Sequence, residues 1–229
     1  MSERLIGMLL FPRMTQLDLT GPYEVFARLP NTRVSLVAHR LDPVETDRGL
    51  IILPNATYAD CPQVDVIVVP GGPGQQDLMD DAPTLAFLRR QAEGAAYVTS
   101  VCTGSLVLGA AGLLEGRRAT CHWSAVDLLS HFGAIPTRER IVFDGRIITA
   151  AGVASGIDFA LALAARLDGE TVAREIQLHI EYDPAPPFDS GSPRTAAPDI
   201  VERVKARGAK LYAARADTAR RAGEKIGQG

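Results

Sequence analysis

Apolar and polar positions along this chain follow two alternating periods. Runs rich in Val, Ile and Leu at Arg4 to Phe11, Thr32 to His39, Val64 to Val69 and Ala96 to Val101 stop at Pro, Gly or polar residues, as strands buried on both faces do. Segments of helical period predict helices over Gly21 to Leu29, Thr84 to Glu93, Ser124 to His131, Ala154 to Leu167 and Glu170 to Tyr182. That alternation predicts one α/β sandwich, its mostly parallel strands joined by right-handed helical crossovers. A single signal breaks it: Asp144-Gly145, between Ile141-Val142-Phe143 and Ile147-Ile148, marks a hairpin and a small antiparallel element. From Asp183 to Pro198 the prolines Pro184, Pro186, Pro187, Pro193 and Pro198 exclude helix and central strand, so a fixed loop is expected. Ile200 to Gly229 is Ala-, Arg- and Lys-rich and helical in propensity. The expected division is an α/β domain over 1–193 and a helical extension over 194–229 packed on it.

Composition narrows the partners. With 229 residues, 46% apolar and 22% charged, the chain can bury a full core and is neither a disordered tail nor a fibre. Lys+Arg at 24 against Asp+Glu at 27 leaves a net charge of −3, so no global basic field draws nucleic acid or anionic lipid. The basic residues of the C-terminal stretch are interspersed with acids, which fits a solvated surface or interface helix. The longest apolar stretch, Leu106 to Leu114, is about half what a membrane-spanning helix needs. Leu5 to Pro12 is short and lacks a small-residue cleavage site, so it reads as a strand and not a signal peptide. Three cysteines fit a reducing cytoplasm better than a disulfide framework.

Candidate chemistry concentrates where a strand breaks sharply into a helix. Tyr97-Val98-Thr99-Ser100-Val101 is a strand, Cys102-Thr103-Gly104 a turn, and the apolar helix begins at Ser105. A cysteine there lies at the carboxyl end of a parallel strand, where open α/β sheets place ligands. It also caps a helix N-terminus, whose dipole is expected to favour thiolate. The bland alternative is a small buried hydrophobe, a common fate of free cysteine. Val66-Ile67-Val68-Val69 runs into Pro70-Gly71-Gly72-Pro73-Gly74, a loop whose bare backbone N–H groups could stabilise developing negative charge. It is a poor phosphate cradle, having neither Gly-Lys-Ser/Thr nor GxGxxG order. Asp18 follows the first strand closely enough to reach the same end of the sheet; as a bland alternative it caps a helix.

Taken in order, Pro70-Gly71-Gly72, Ser100-Val101-Cys102-Thr103-Gly104 and Thr149-Ala150-Ala151-Gly152 leading into Gly156-Ile157-Asp158 resemble the DJ-1/PfpI superfamily. The likeness runs from Leu5 to about Pro193. It implies a flavodoxin-like doubly wound sheet, a nucleophile at Cys102, a backbone oxyanion site at Gly72 and Thr103 with Gly71 beside them, and a homodimer. Many members place a glutamate in the first helix region where this chain has Leu17-Asp18-Leu19-Thr20-Gly21-Pro22. That acid, with Cys102 to Gly109, Cys121-His122-Trp123 and the Pro-rich stretch after Glu181, is similar to the bacterial isocyanide hydratase family, Cys121 standing where threonine is expected. The resemblance implies hydration of an isocyanide to an N-formamide by Cys102, Thr103 and Asp18, with no metal or organic cofactor. Thr103 is expected to orient Asp18 or water through its hydroxyl.

Other residues rank below that trio. His122 invites a Cys–His dyad, and His122, Cys121 and Val153 are further pocket candidates. His179-Ile180-Glu181 mimics an amidotransferase His-x-Glu, but residues two apart on a helix diverge. Cys61 looks like a loop residue, Trp123 and Phe26 like wall or core. No HExxH or CxxC pairing suggests zinc. Two other functions stay open: glyoxalase or aldehyde detoxification by the same thiol, and redox sensing through it. A regulator is disfavoured because only about 30 residues follow the Pro-rich loop, too few for a DNA-binding module.

Overall fold

A computed structural model describes residues 3–226. Its strands are β1 Arg4–Leu9, β2 Thr32–Ala38, β3 Val44–Glu45, β4 Ile51–Ile52, β5 Ala56–Thr57, β6 Val66–Val69, β7 Tyr97–Val101, β8 Arg118–Ala119, β9 Ile135–Pro136, β10 Ile141–Asp144 and β11 Ile147–Ala150. The helices are α1 Gln16–Phe26, α2 Gln75–Leu78, α3 Ala82–Gly94, α4 Gly104–Ala110, a 3-10 helix Val126–Phe132, α5 Ser155–Asp168, α6 Glu170–His179 and α7 Pro198–Ile226.

Seven strands form one sheet in the order β10-β11-β7-β6-β1-β2-β5. All its pairings are parallel except β10 with β11, the hairpin that Asp144-Gly145 signals, with Asp144 opposite Ile147 and Gly145 at φ 61°. The central strands are apolar because helices cover both faces: β6 is buried throughout and β1 from Leu5 onward. After β2 and β5 the chain crosses β1 to start β6 on its other side, so the strand order reverses between β1 and β6. Loops at such a reversal splay apart and leave a crevice at the carboxyl ends of the strands. Phe26 of α1 meets Phe159 of α5 edge to face at 5.9 Å, locking two helices over that reversal.

Several boundaries differ from the sequence reading. Helix α1 starts at Gln16, five residues before the expected Gly21, because packing against α5 overrides the poor helix propensity of Thr20-Gly21-Pro22. The segment expected as a helix over Ser124 to His131 is 3-10, Val126–Phe132, and the two small sheets β3-β4 and β8-β9 carry too few residues to show a period. Pro198 is not loop but the first residue of α7, where its missing N–H has no helical partner to lose. The expected extension over 194–229 is therefore helical over Pro198–Ile226, and its last three residues lie outside those described. No helix among the described residues is long and apolar enough to cross a membrane.

Candidate active site

Strand β7 ends in a strained elbow. Cys102 adopts φ 58°, a left-handed conformation costly for a residue with a Cβ, of order 1–3 kcal/mol. Its backbone N–H is tied to the Ala150 carbonyl at 3.0 Å, and Ser105 in the first turn of α4 donates to the Thr120 carbonyl at 2.7 Å. The turn is thereby held from β11 and from the segment after β8. Cys102 is 5% exposed, and that sliver opens into a cavity of about 900 Å³ walled also by Thr15, Gly72, Thr103, His122, Trp123, Val153 and the inner face of α7.

Asp18 lies in the first turn of α1, fully buried. It does not cap the helix, whose N-cap position is Thr15; its Oδ2 instead accepts the Gly71 N–H at 2.8 Å. Oδ1 is buried with no hydrogen-bond partner of good geometry, and the group facing the carboxyl is the Cys102 thiol. Burial drives the Asp18 pKa from 3.8 up to about 7, outweighing the downward pulls of the Gly71 N–H and the thiol. Burial also drives the Cys102 pKa well above 9, with the charges of Asp18 and Cys121 pushing the same way and the Thr103 N–H pulling it down. The expected thiolate therefore gives way to a resting thiol. The α4 dipole is too weak to prevent this, since Gly104–Ala110 makes barely two turns and the thiol has left water.

The glycine loop holds the site's side chains and does not stand free. Gly71 N–H is spent on Asp18, and Gly72 N–H donates to the Thr103 hydroxyl at 3.0 Å, so neither amide is an open oxyanion donor as expected. Thr103 Oγ1 accepts the Gly72 N–H and makes no hydrogen bond to Asp18 or to its own helix, so the direct contact with Asp18 is not made. The Thr103 N–H, by contrast, acts on the Cys102 sulfur, pulling its pKa down. Both glycines are forced. A Cβ on Gly71 would lie 2.5 Å from Thr103 N and 2.6 Å from its Oγ1; Gly72 has φ 125° and would place a Cβ 2.3 Å from Thr15 N.

Of the pocket candidates, His122 and Val153 line the cavity, whereas Cys121 does not: it is 1% exposed, and burial pushes its pKa up to about 12. His122 Nδ1 accepts the Ser124 N–H at 3.3 Å and lies 2.8 Å from the Ser124 hydroxyl. Burial, helped by the nearby Arg215 charge, lowers its pKa to about 4, so near neutral pH the ring is uncharged. His179 and Glu181 are both exposed and stand outside the cavity lining. Among the described residues no three His, Cys, Asp or Glu side chains gather to hold a metal ion.

The DJ-1/PfpI family model matches residues 4–166, which hold all seven strands of the main sheet and the elements that build this elbow. The chain belongs to the DJ-1/PfpI family. Within it, an isonitrile hydratase of Pseudomonas putida is 54% identical over 96% of this chain and 97% of its own length. A glutathione-independent glyoxalase of Caenorhabditis elegans is 29% identical over 56% of this chain and 69% of its own. Among solved structures, a THiJ/PfpI family protein from Pseudomonas syringae superposes with a TM-score of 0.93 at 45% identity, covering 96% of this chain and 91% of that one.

What sequence reasoning missed in this family member is the far wall. Helix α7 contributes Val201, Val204, Lys205, Gly208, Tyr212 and Arg215, and Pro193 joins them from the Pro-rich loop. The mixed polar and apolar spacing of α7 was the available signal, but a helix with one buried stripe reads the same whether it covers a core or a cavity.

Proposed function

We propose that this protein hydrates isocyanides to N-formamides through a covalent thioimidate on Cys102. The observation that carries the reading is the meeting of a cavity-lining Cys102 thiol with the fully buried Asp18 carboxyl against it, desolvation raising the pKa of both. The 54% identity to an isonitrile hydratase across nearly the whole of both chains supports the choice of substrate.

An isocyanide carbon is an electrophile that also bears a lone pair, so addition of sulfur must be matched by delivery of a proton to the same atom. Two groups sharing one site titrate as a pair, and the reactive form is the pair carrying a single proton. As sulfur attacks the terminal carbon, its proton passes to Asp18 and on to that carbon, giving S–CH=N–R with one S–C bond and one C–H bond formed. Sulfur develops negative charge during the transfer, and the Thr103 N–H acting on it stabilises that charge. Water then adds to the imine carbon, with Asp18 accepting a proton and the nitrogen taking one up. Collapse of the tetrahedral adduct breaks the C–S bond, releases the formamide and returns the proton to the thiol. Gly71 and Thr103 act through position: the first aims Asp18, the second fixes the loop through Gly72.

Purified protein supplied with a small alkyl isocyanide and followed for formamide tests this directly. Cys102→Ala and Asp18→Asn are expected to lose at least about 10²-fold in kcat, whereas His122→Asn is expected to lose less than about tenfold because burial leaves its neutral ring too weak a base to compete with Asp18 near pH 7. Turnover of methylglyoxal without any isocyanide hydration would move the assignment to the glyoxalase class. Redox sensing is disfavoured because the thiol is buried and protonated. A homodimer in the cytoplasm is part of the same proposal, supported by the family resemblance and by three free, buried cysteines.

A further inference from the structure

Arg215 lies on the buried side of α7 at 6% exposure and lines the cavity opposite Cys102. Among the described residues its Nε is buried with no acceptor, and the acidic groups close enough to act on it are two thiols, Cys121 and Cys102, which burial keeps protonated. Among the described residues neither carboxylate of the cavity wall pairs with Arg215, although Asp47 Oδ1 is itself buried without a partner. Asp127 takes Arg138 through both oxygens at 2.6 and 2.7 Å, and Asp47 accepts the Thr15 hydroxyl at 3.2 Å with Arg48 at 4.0 Å. A guanidinium cannot shed its charge in a protein, and a buried charge without a counter-ion is among the most destabilising features a fold can carry. Met would fill the same space on α7 without that penalty. The cavity, at about 900 Å³, stands at the upper end of small-molecule sites and leaves room between the sulfur and α7 for more than an isocyano group.

We propose that Arg215 is the anion-binding residue of this cavity, and that the preferred substrates are isocyanides bearing a carboxylate remote from the isocyano carbon. A planar guanidinium facing a cavity matches a carboxylate through two parallel hydrogen bonds, which fixes orientation as well as affinity. The substrate class rests on the hydratase reading; the anion site does not. Burial keeps Cys102 protonated and lifts Asp18 to about 7, so in mildly acidic solution the reacting pair offers the guanidinium no counter-charge.

The test separates the two. Trp123, the only tryptophan, is on the cavity wall, and its fluorescence reports binding of benzoate and of its uncharged analogue benzamide. Wild type is expected to bind benzoate at least about tenfold more tightly than benzamide, Arg215→Lys to keep part of that preference and Arg215→Met to lose it. No preference in wild type, or a preference surviving in Arg215→Met, overturns the anion site. Melting temperature guards against a folding artefact: Arg215→Met is expected to melt at or above wild type, and a fall of several degrees with both ligands lost would make the residue structural and overturn the proposal. With para-isocyanobenzoate and para-isocyanobenzamide, the ratio of their kcat/KM values is expected to drop at least about tenfold in Arg215→Met, mainly through KM. If neither is hydrated while the benzoate preference holds, the anion site stands and the substrate class falls with the reaction.

Discussion

Asp18 and Cys102 compete for protons in a space that penalises charge on either, and this has consequences on two axes of pH. In catalysis the pair must lose one proton to act, so kcat/KM for a neutral isocyanide is expected to rise through about pH 7, where Asp18 titrates, and to reach a plateau above it. A profile already flat from pH 5 to 8 would contradict the assignment. In stability the sign runs the other way. The folded pKa of Asp18 lies above its unfolded value, so its stabilising contribution is complete below about pH 4 and is lost as pH rises to about 7, a change on the order of 4 kcal/mol. His122, lowered from 6.5 to about 4, does the opposite, adding stability as pH rises from about 4 to 6.5, so in wild type the two slopes largely cancel. Subtraction exposes the first: the melting temperature of Asp18→Asn relative to wild type is expected to grow from near zero at pH 4 to several degrees at pH 7. The identity of Cys102 and Asp18 as candidates was legible in the sequence; their protonation was not, because a dipole is local and desolvation depends on every element that closes over the pair.

At the scale of elements, the site is a junction of three turns at the carboxyl ends of β1, β6 and β7, each holding the next. Thr15 N–H donates to the Gly71 carbonyl at 2.9 Å, Gly71 N–H to Asp18, and Gly72 N–H to Thr103 beside the cysteine. Gly71→Ala drives a methyl into the Thr103 backbone and is expected to cost about 1–3 kcal/mol and at least tenfold in kcat, measured by thermal melts and formamide release. The strand-and-glycine pattern around Pro70-Gly71-Gly72 marked the loop from sequence alone. It could not tell an amide left free for substrate from one that holds a side chain, since both call for the same bare backbone. For the same reason the long apolar strands were readable while β3, β4, β8 and β9, with two residues each, were not.

At the scale of the molecule, α7 decides how closed the site is. Its C-terminal half is buried through Thr218, Ala219 and Ala222 against the body, and Gly223 passes so close to the His131 carbonyl that no side chain fits between them. Gly223→Val should lift the helix from the 3-10 segment; the expected readout is a melting temperature lower by several degrees and faster alkylation of Cys102 by iodoacetamide. Unchanged alkylation would mean that α7 does not shield the thiol. We propose on the same grounds that α7 and the sheet unfold together as one unit. The sequence by itself determined the sandwich, the hairpin, the elbow and the acid after the first strand, because each is written in residues close together whose period or turn chemistry is local. Only the tertiary structure decided that the sulfur rests protonated, that the glycine amides are already taken, and that an arginine over a hundred residues after the cysteine completes the cavity. Burial and proximity across the fold belong to no short stretch of chain, so no short stretch could announce them.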